Sequence, residues 1–172
     1  MTGSPLSRQA AGAENILSDQ PLQLAALLAA SHHPSAGAVV LFSGDVRINN
    51  LGKEVAYLEF EAQEKLAVKM IHEILEQATQ KWQLNIAVAQ HRLGKVGISE
   101  CAVVVITASP HRKEAYDANR YIMDRLKHEV PIWKCEYFTD GTHKWGGNCN
   151  CAEITGNPAE HIYEFNSAGH EK

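Results

Sequence analysis

The stretch from Cys101 to Phe138 carries its own punctuation, because two prolines divide it into three segments of different periodicity. "CAVVVITAS" (101–109) is apolar at nearly every position, the pattern of a strand covered on both faces and therefore central in its sheet. Ser109 can cap a helix and Pro110 suits a first helical position; the run then continues to about Glu129, where Pro131 forbids more. Ala115, Ala118, Ile122 and Leu126 supply that helix's buried stripe. "IWKCEYF" (132–138) returns as a strand, with Trp133, Cys135 and Tyr137 on one face and Lys134 and Glu136 on the other. Strand, helix and strand in this order commit the chain to packed layers of helix and sheet.

The upstream half fills in those layers. "SDQPLQLAALLAA" reads as a short helix with Ser18 or Asp19 as its cap, and "AVVLFSGDV" (38–46) as a strand running into a turn at Ser43, Gly44 and Asp45. "RINNLGKE" has loop chemistry, and "VAYLEFE" (55–61) alternates as a strand. Residues 64–81 form a helix with a stripe of Leu66, Met70, Ile71, Ile74 and Ala78, and "LNIAVAQHRLG" is a further strand. Strands and helices do not alternate regularly, so the expected class is α+β. With 172 residues the chain is read as a disordered segment at 1–12, one domain at 13–145 and a polar tail at 146–172.

Charge and composition narrow the function. A net charge of −4 argues against a general nucleic-acid binder, though not against a local basic pocket. There is no apolar run long enough for a membrane span and no hydrophobic signal core in "MTGSPLSRQAAGAEN", so the expected location is the cytosol. Cys101 and Cys135 read as small buried hydrophobes; Cys149 and Cys151 form a C-x-C pair that, with His143, is the one metal-binding alternative. P-loop, dinucleotide, G-x-S-x-G and H-E-x-x-H signatures are absent.

The cations are more informative. His111, Arg112 and Lys113 crowd the start of a helix, where the dipole disfavours positive charge and where backbone N–H groups attract anions. Lys127 falls in the last turn, where the dipole alone would explain it, and His91 reads as a strand-end polar residue. Arg112 and Lys127, fifteen residues apart, would be separated by about 22 Å along a continuous helix. Both cannot hold one small anion. Either Arg112 serves another site, or it reaches a pocket of a second copy of the chain.

Taken together, "GAVVLFSGDVRINNLGKEV" (37–55), "HRLGKV" (91–96), "SPHRKEAYDANRYIMDRLK" (109–127) and "PIWKCE" (131–136) resemble the family of molybdopterin synthase catalytic (large) subunits. The resemblance implies an α/β-hammerhead type of α+β fold, a mixed and mostly antiparallel sheet flanked by helices. It also implies a homodimer within a heterotetramer, each half binding a small ubiquitin-like sulfur-carrier subunit that ends in a Gly-Gly thiocarboxylate. That thiocarboxylate would sulfurate cyclic pyranopterin monophosphate (precursor Z) in two rounds, with no metal or nucleotide cofactor. Carried over position by position, the catalytic residues fall on Lys127 and Lys134. Substrate binding falls on these two and on Asp45, Val46, Arg47, His111, Arg112, Cys135 and Glu136. The loop after Arg47 reads "INN" where many relatives have a histidine nearby.

The chemistry suits the residues. A phosphate and a thiocarboxylate must meet, so cations are needed to neutralise both. Two lysines about 6 Å apart at an effective dielectric near 20 repel by roughly 3 kcal/mol, about two pK units, which would leave one of them able to move protons near pH 8. The role expected of Lys127 is at the reacting centre, and that of Lys134 is to orient and neutralise. The competing reading is a non-catalytic anion-binding module for a phosphorylated metabolite, using the same cations.

Overall fold

The computed structural model describes residues 15–50 and 52–147. In chain order these form β1 (Leu17–Ser18), α1 (Leu24–Ala30), β2 (Ala38–Asp45), β3 (Asn49–Asn50), β4 (Lys53–Ala62) and α2 (Glu64–Trp82). There follow β5 (Ile86–Arg92), β6 (Gly94–Gly97), β7 (Cys101–Ser109), α3 (Arg112–Glu129), β8 (Ile132–Phe138) and β9 (His143–Gly147). The strands divide between two sheets: one ordered β1-β5-β7-β2, the other β3-β4-β8-β9 with β6 also paired to β4. Every pairing is antiparallel except β1 with β5.

β7 is apolar throughout because both of its faces are covered, as its sequence requires. Val104, Ile106 and Ala108 pack with Leu27 of α1 and with Ile86 and Val88 of β5. Val103 and Val105 join a larger core with Ile71 and Ile74 of α2 and Ala118, Ile122 and Leu126 of α3. The α3 stripe is fully buried at Ala115, Ala118, Ile122 and Leu126, as expected. Asn119 also lies inward, and its side-chain amide donates to the carbonyl oxygens of Val40 and Val105 at 3.1 and 3.0 Å. It ties α3 to two strands by a polar bond that a periodicity argument does not see.

Several boundaries move. α1 starts at Leu24 with Gln23 at its N-terminal boundary, because Ser18 belongs to β1 and its hydroxyl bonds the backbone of Gln20. α3 starts at Arg112, two residues past Pro110, with His111 in extended geometry before it; the Ser109 hydroxyl donates to the His111 carbonyl instead of capping the helix. In α2 the buried stripe is Ala67, Ile71, Ile74 and Ala78, while Leu66 is 41% exposed. The Ser43–Asp45 segment is a strand with a register shift between Gly44 and Asp45, not a turn. β9 runs through Gly147, paired to Trp133 of β8, so the tail drawn from 146 begins inside a strand. Segment 1–12 lies outside the described residues, as does the tail beyond Gly147.

Gly37 sets the approach of β2 to the end of β7. Its N–H donates to the Ser109 carbonyl at 3.1 Å, and a Cβ on Gly37 would stand 2.5 Å from the backbone oxygen of Pro110. Backbone cannot yield as a flexible side chain would. Gly37→Ala is expected to lower stability by about 1–3 kcal/mol. Thermal melting checks this, and an unchanged midpoint would show that the strand end can shift freely.

Candidate active site

A cavity of about 160 Å³ opens where the last turn of α3 faces the end of β2, β4 and β8. β4 and β8 pair with Phe60 opposite Lys134 and Leu58 opposite Glu136, so two apolar and two charged side chains share one wall. Arg47 enters from the segment between β2 and β3. Its neighbour Val46 is buried and doubly anchored: the Val46 N–H donates to the Glu100 carbonyl at 3.1 Å, and its carbonyl accepts from the Ser99 N–H at 2.8 Å. On the other side, the Ile48 carbonyl accepts from the Val55 N–H at 2.6 Å. Arg47 is thus presented on a backbone fixed at both ends.

The anchor has its own support. Ser99 has a φ of 64°, in the left-handed region that a side chain disfavours. The Glu100 carboxylate stabilises this turn by accepting from the Gly97 N–H and from Arg92 Nη1, both at 2.8 Å. Those bonds, the Gly97 one foremost, hold the Glu100 carboxyl below its ordinary pKa. Gly44 leaves room at the cavity edge: a Cβ there would come within 2.6 Å of the Val103 side chain.

Lys134 is ordered by Glu136, whose Oε1 lies 2.8 Å from its Nζ, and Glu136 Oε2 accepts from Asn50 Nδ2 at 2.6 Å. Burial, the largest single influence on Glu136, pushes its carboxyl up; the bonds from Lys134 and Asn50 outweigh it, and the net shift is downward. The carboxylate therefore stays ionised and holds Lys134 in place. Lys127 keeps substantial solvent contact, yet its ammonium is held below the usual 10.5, first by partial loss of hydration and then by the charges of Lys134 and Arg47, with Asp124 opposing. The direction agrees with the repulsion expected between the two lysines.

His91 lines the same cavity, 1% exposed, with its ring edge-on to Phe60 at a centroid distance of 4.9 Å. Burial, aided by the charge of Lys127, lowers its pKa from 6.5 to about 4 against the opposing bond to the Arg92 carbonyl. The unfolded chain therefore binds the proton more readily than the folded one, and stability present above pH 6.5 is lost as the pH falls towards about 4. The shift corresponds to about 3 kcal/mol. Urea denaturation at pH 7 and pH 4.5 should show this difference in the wild type and a smaller one in His91→Gln; equal slopes would exclude His91 as its source.

The cavity thus gathers Asp45, Val46, Arg47, Lys127, Lys134 and Glu136 from the expected set. Cys135 is not among its lining. Strand alternation turns it to the opposite face, where it is fully buried opposite Trp145 of β9, and burial raises its thiol pKa. His111 and Arg112 stand exposed at the far end of the 18-residue α3, about 22 Å from Lys127. Neither makes an ion pair among the described residues, whereas Lys113 beside them pairs with Asp117 at 2.7 Å. Asn50 and His91 were not anticipated as pocket residues. Asn50 lies in an apparent loop with no local cue; His91, inside an otherwise buried strand, does carry one.

A larger cavity, about 660 Å³, opens between the β1–α1 segment and β5, but it is lined by Asp19 and Glu64 and by no Lys, Arg or His. It cannot neutralise an anion. Among the described residues no group of three or more His, Cys, Asp or Glu side chains is placed to hold a metal ion, and Cys149 and Cys151 lie outside those residues. Among them, too, no helix is long and apolar enough to cross a membrane.

The model of the MoaE protein family matches residues 17–129. The chain belongs to the MoaE family. The molybdopterin synthase catalytic subunit of Bacillus subtilis (strain 168) is 45% identical to this MoaE-family chain over 113 residues, 66% of this chain and 71% of that protein. That of Halalkalibacterium halodurans is 36% identical over 130 residues, 76% of this chain and 83% of that one. The crystal structure of molybdopterin synthase from Staphylococcus aureus superimposes with a TM-score of 0.73 at 38% identity, covering 77% of this chain and 96% of that one. The α+β, hammerhead-type fold expected for a MoaE-family chain is the fold observed.

Proposed function

We propose that this chain is the catalytic subunit of a molybdopterin synthase, a sulfurtransferase. Sulfur passes from the C-terminal thiocarboxylate of a small ubiquitin-like carrier subunit to cyclic pyranopterin monophosphate, building the dithiolene of molybdopterin. The observation that carries the reading is the convergence of Arg47, Lys127 and Lys134 on one cavity with an apolar wall. Cations answer the phosphate and the thiocarboxylate, and Leu58 and Phe60 offer a surface to the flat pterin. Lys127, with its lowered pKa, donates or accepts a proton at the reacting carbon; Lys134, held by Glu136, orients and neutralises.

His111 and Arg112 complete the pocket of a second copy. They are exposed and without a carboxylate partner among the described residues, and α3 is too long for them to reach their own chain's Lys127. The working assembly is a homodimer of this chain with one carrier subunit on each half, acting in the cytoplasm without a metal or nucleotide cofactor. The deciding experiment mixes the purified chain with thiocarboxylated carrier and precursor Z and measures molybdopterin. Formation dependent on all three supports the reading; tight binding of the pterin with no turnover would favour a non-catalytic anion-binding module.

A further inference from the structure

Glu136 is only 6% exposed, and it divides its two oxygens between two partners. Oε1 lies 2.8 Å from Lys134 Nζ, and Oε2 accepts from Asn50 Nδ2 at 2.6 Å. An ionised carboxylate can only accept, so the nitrogen of the Asn50 amide must face it. Asn50 is held at the end of β3, its backbone paired with Lys53 of β4, and Gly52 at φ 76° serves the return between these strands. The bond joins two strands that lie on opposite sides of β4 in the sheet order, so strand pairing alone does not supply it.

This division decides what Lys134 can do. An ammonium carries three N–H groups, and among the described residues Glu136 Oε1 is the one acceptor bonded to it. A buried carboxylate with a vacant second oxygen gains by turning both oxygens to a neighbouring cation, because little water is present to satisfy the spare one. Lys134 would then be enclosed by its own counter-ion, and an incoming phosphate or thiocarboxylate would have to displace it. With Oε2 bonded to Asn50, that rotation breaks a 2.6 Å hydrogen bond. The remaining N–H groups of Lys134 are left for the cavity that all three residues line.

We propose that Asn50 is a positioning residue: by holding Oε2 of Glu136 it limits the Glu136–Lys134 pair to a single contact and keeps the Lys134 ammonium open to an anion. It acts through Glu136 and adds no charge to the cavity.

The inference rests on the sulfur-transfer reading for its kinetic readout alone. Asn50→Ala removes the donor, and a crystal structure of the full-length variant reads the pair directly. Both Glu136 oxygens within hydrogen-bond distance of Lys134 Nζ supports the proposal; an unchanged single contact at Oε1 overturns it. In the synthase assay, KM of Asn50→Ala for precursor Z should rise about tenfold with kcat changed much less, since anion capture and not proton transfer is affected. The same substitution made in Lys134→Ala should raise KM no further, because the lysine it acts upon is gone. A hairpin-tethering role would raise KM equally in both backgrounds, and that result, or a fall in kcat at unchanged KM, would overturn the proposal. A wild-type chain that makes no molybdopterin would refute the parent reading and leave the variant's crystal structure to decide Asn50. If Asn50→Ala does not fold, the near-isosteric Asn50→Leu takes its place in both measurements, with the same outcomes.

Discussion

Lys127→Ala is expected to reduce molybdopterin formation by about two to four orders of magnitude, the range for removing a group that moves protons in the transition state. The fold should survive. Lys127 is solvent-exposed in the last turn of α3, alanine is an excellent helix former, and the lost complement to the helix dipole costs only about 0.3–1 kcal/mol. Relief of the repulsion with Lys134 offsets part of that. Single-turnover conversion of precursor Z with thiocarboxylated carrier is the direct measurement. Lys127→Arg separates the two ways a lysine can act, since arginine keeps the charge but does not release a proton. Pterin binding retained with chemistry lost assigns Lys127 to proton transfer; chemistry retained assigns it to neutralisation. Wild-type turnover by Lys127→Ala would remove this residue from the mechanism.

The second large effect is a recovery. Arg112→Ala and Lys127→Ala homodimers should each be nearly inactive if every pocket combines Lys127 of one chain with Arg112 of the other. A mixed dimer then holds one pocket with both residues intact and one with neither. Random mixing after co-refolding should restore roughly a quarter of the wild-type sites, because half of the dimers are mixed and each has one working pocket. Separately tagged chains allow the mixed dimer to be isolated, raising that share to about one half. No restoration would confine Arg112 to another role. α3 is one continuous helix from Arg112 to Glu129, which holds the two residues of a single chain at opposite ends.

The same helix shows what the residues disclose by themselves. Its stripe and its stop at Pro131 follow from periodicity and proline stereochemistry, and both are found. Its start does not, because Ser109 spends its hydroxyl on the His111 carbonyl and Pro110 lies outside the helix. In α2 the leucine at 66 outranks the alanine at 67 in hydrophobicity, yet Ala67 is the buried one, since packing against a neighbouring element rewards fit as well as apolarity. The short strands β3, β6 and β9 carry no alternation long enough to read, and two of the three contain glycines. For the site, local position explains Lys127 by the helix dipole and puts Lys134 on a strand face with Glu136, and neither says that the two lysines meet. What joins them is the turn at Pro131 and the pairing of β8 with β4, which are tertiary facts. Cys135, beside Lys134 in sequence, faces away for the simplest reason: a strand alternates.

The bond from Asn50 to Glu136 spans 86 positions of the chain, and Arg47 and Lys127 are similarly remote in sequence. Closing such distances carries a loop entropy that local helices do not meet, so contacts of this kind form late and slowly in folding. On a ribosome the cation pocket cannot exist until β8 has emerged and docked on β4. A growing chain that exposes β2, β5 and β7 has most of its central sheet but no means of gathering anions. Binding competence should therefore arrive abruptly, with the last strands, instead of accumulating along the chain.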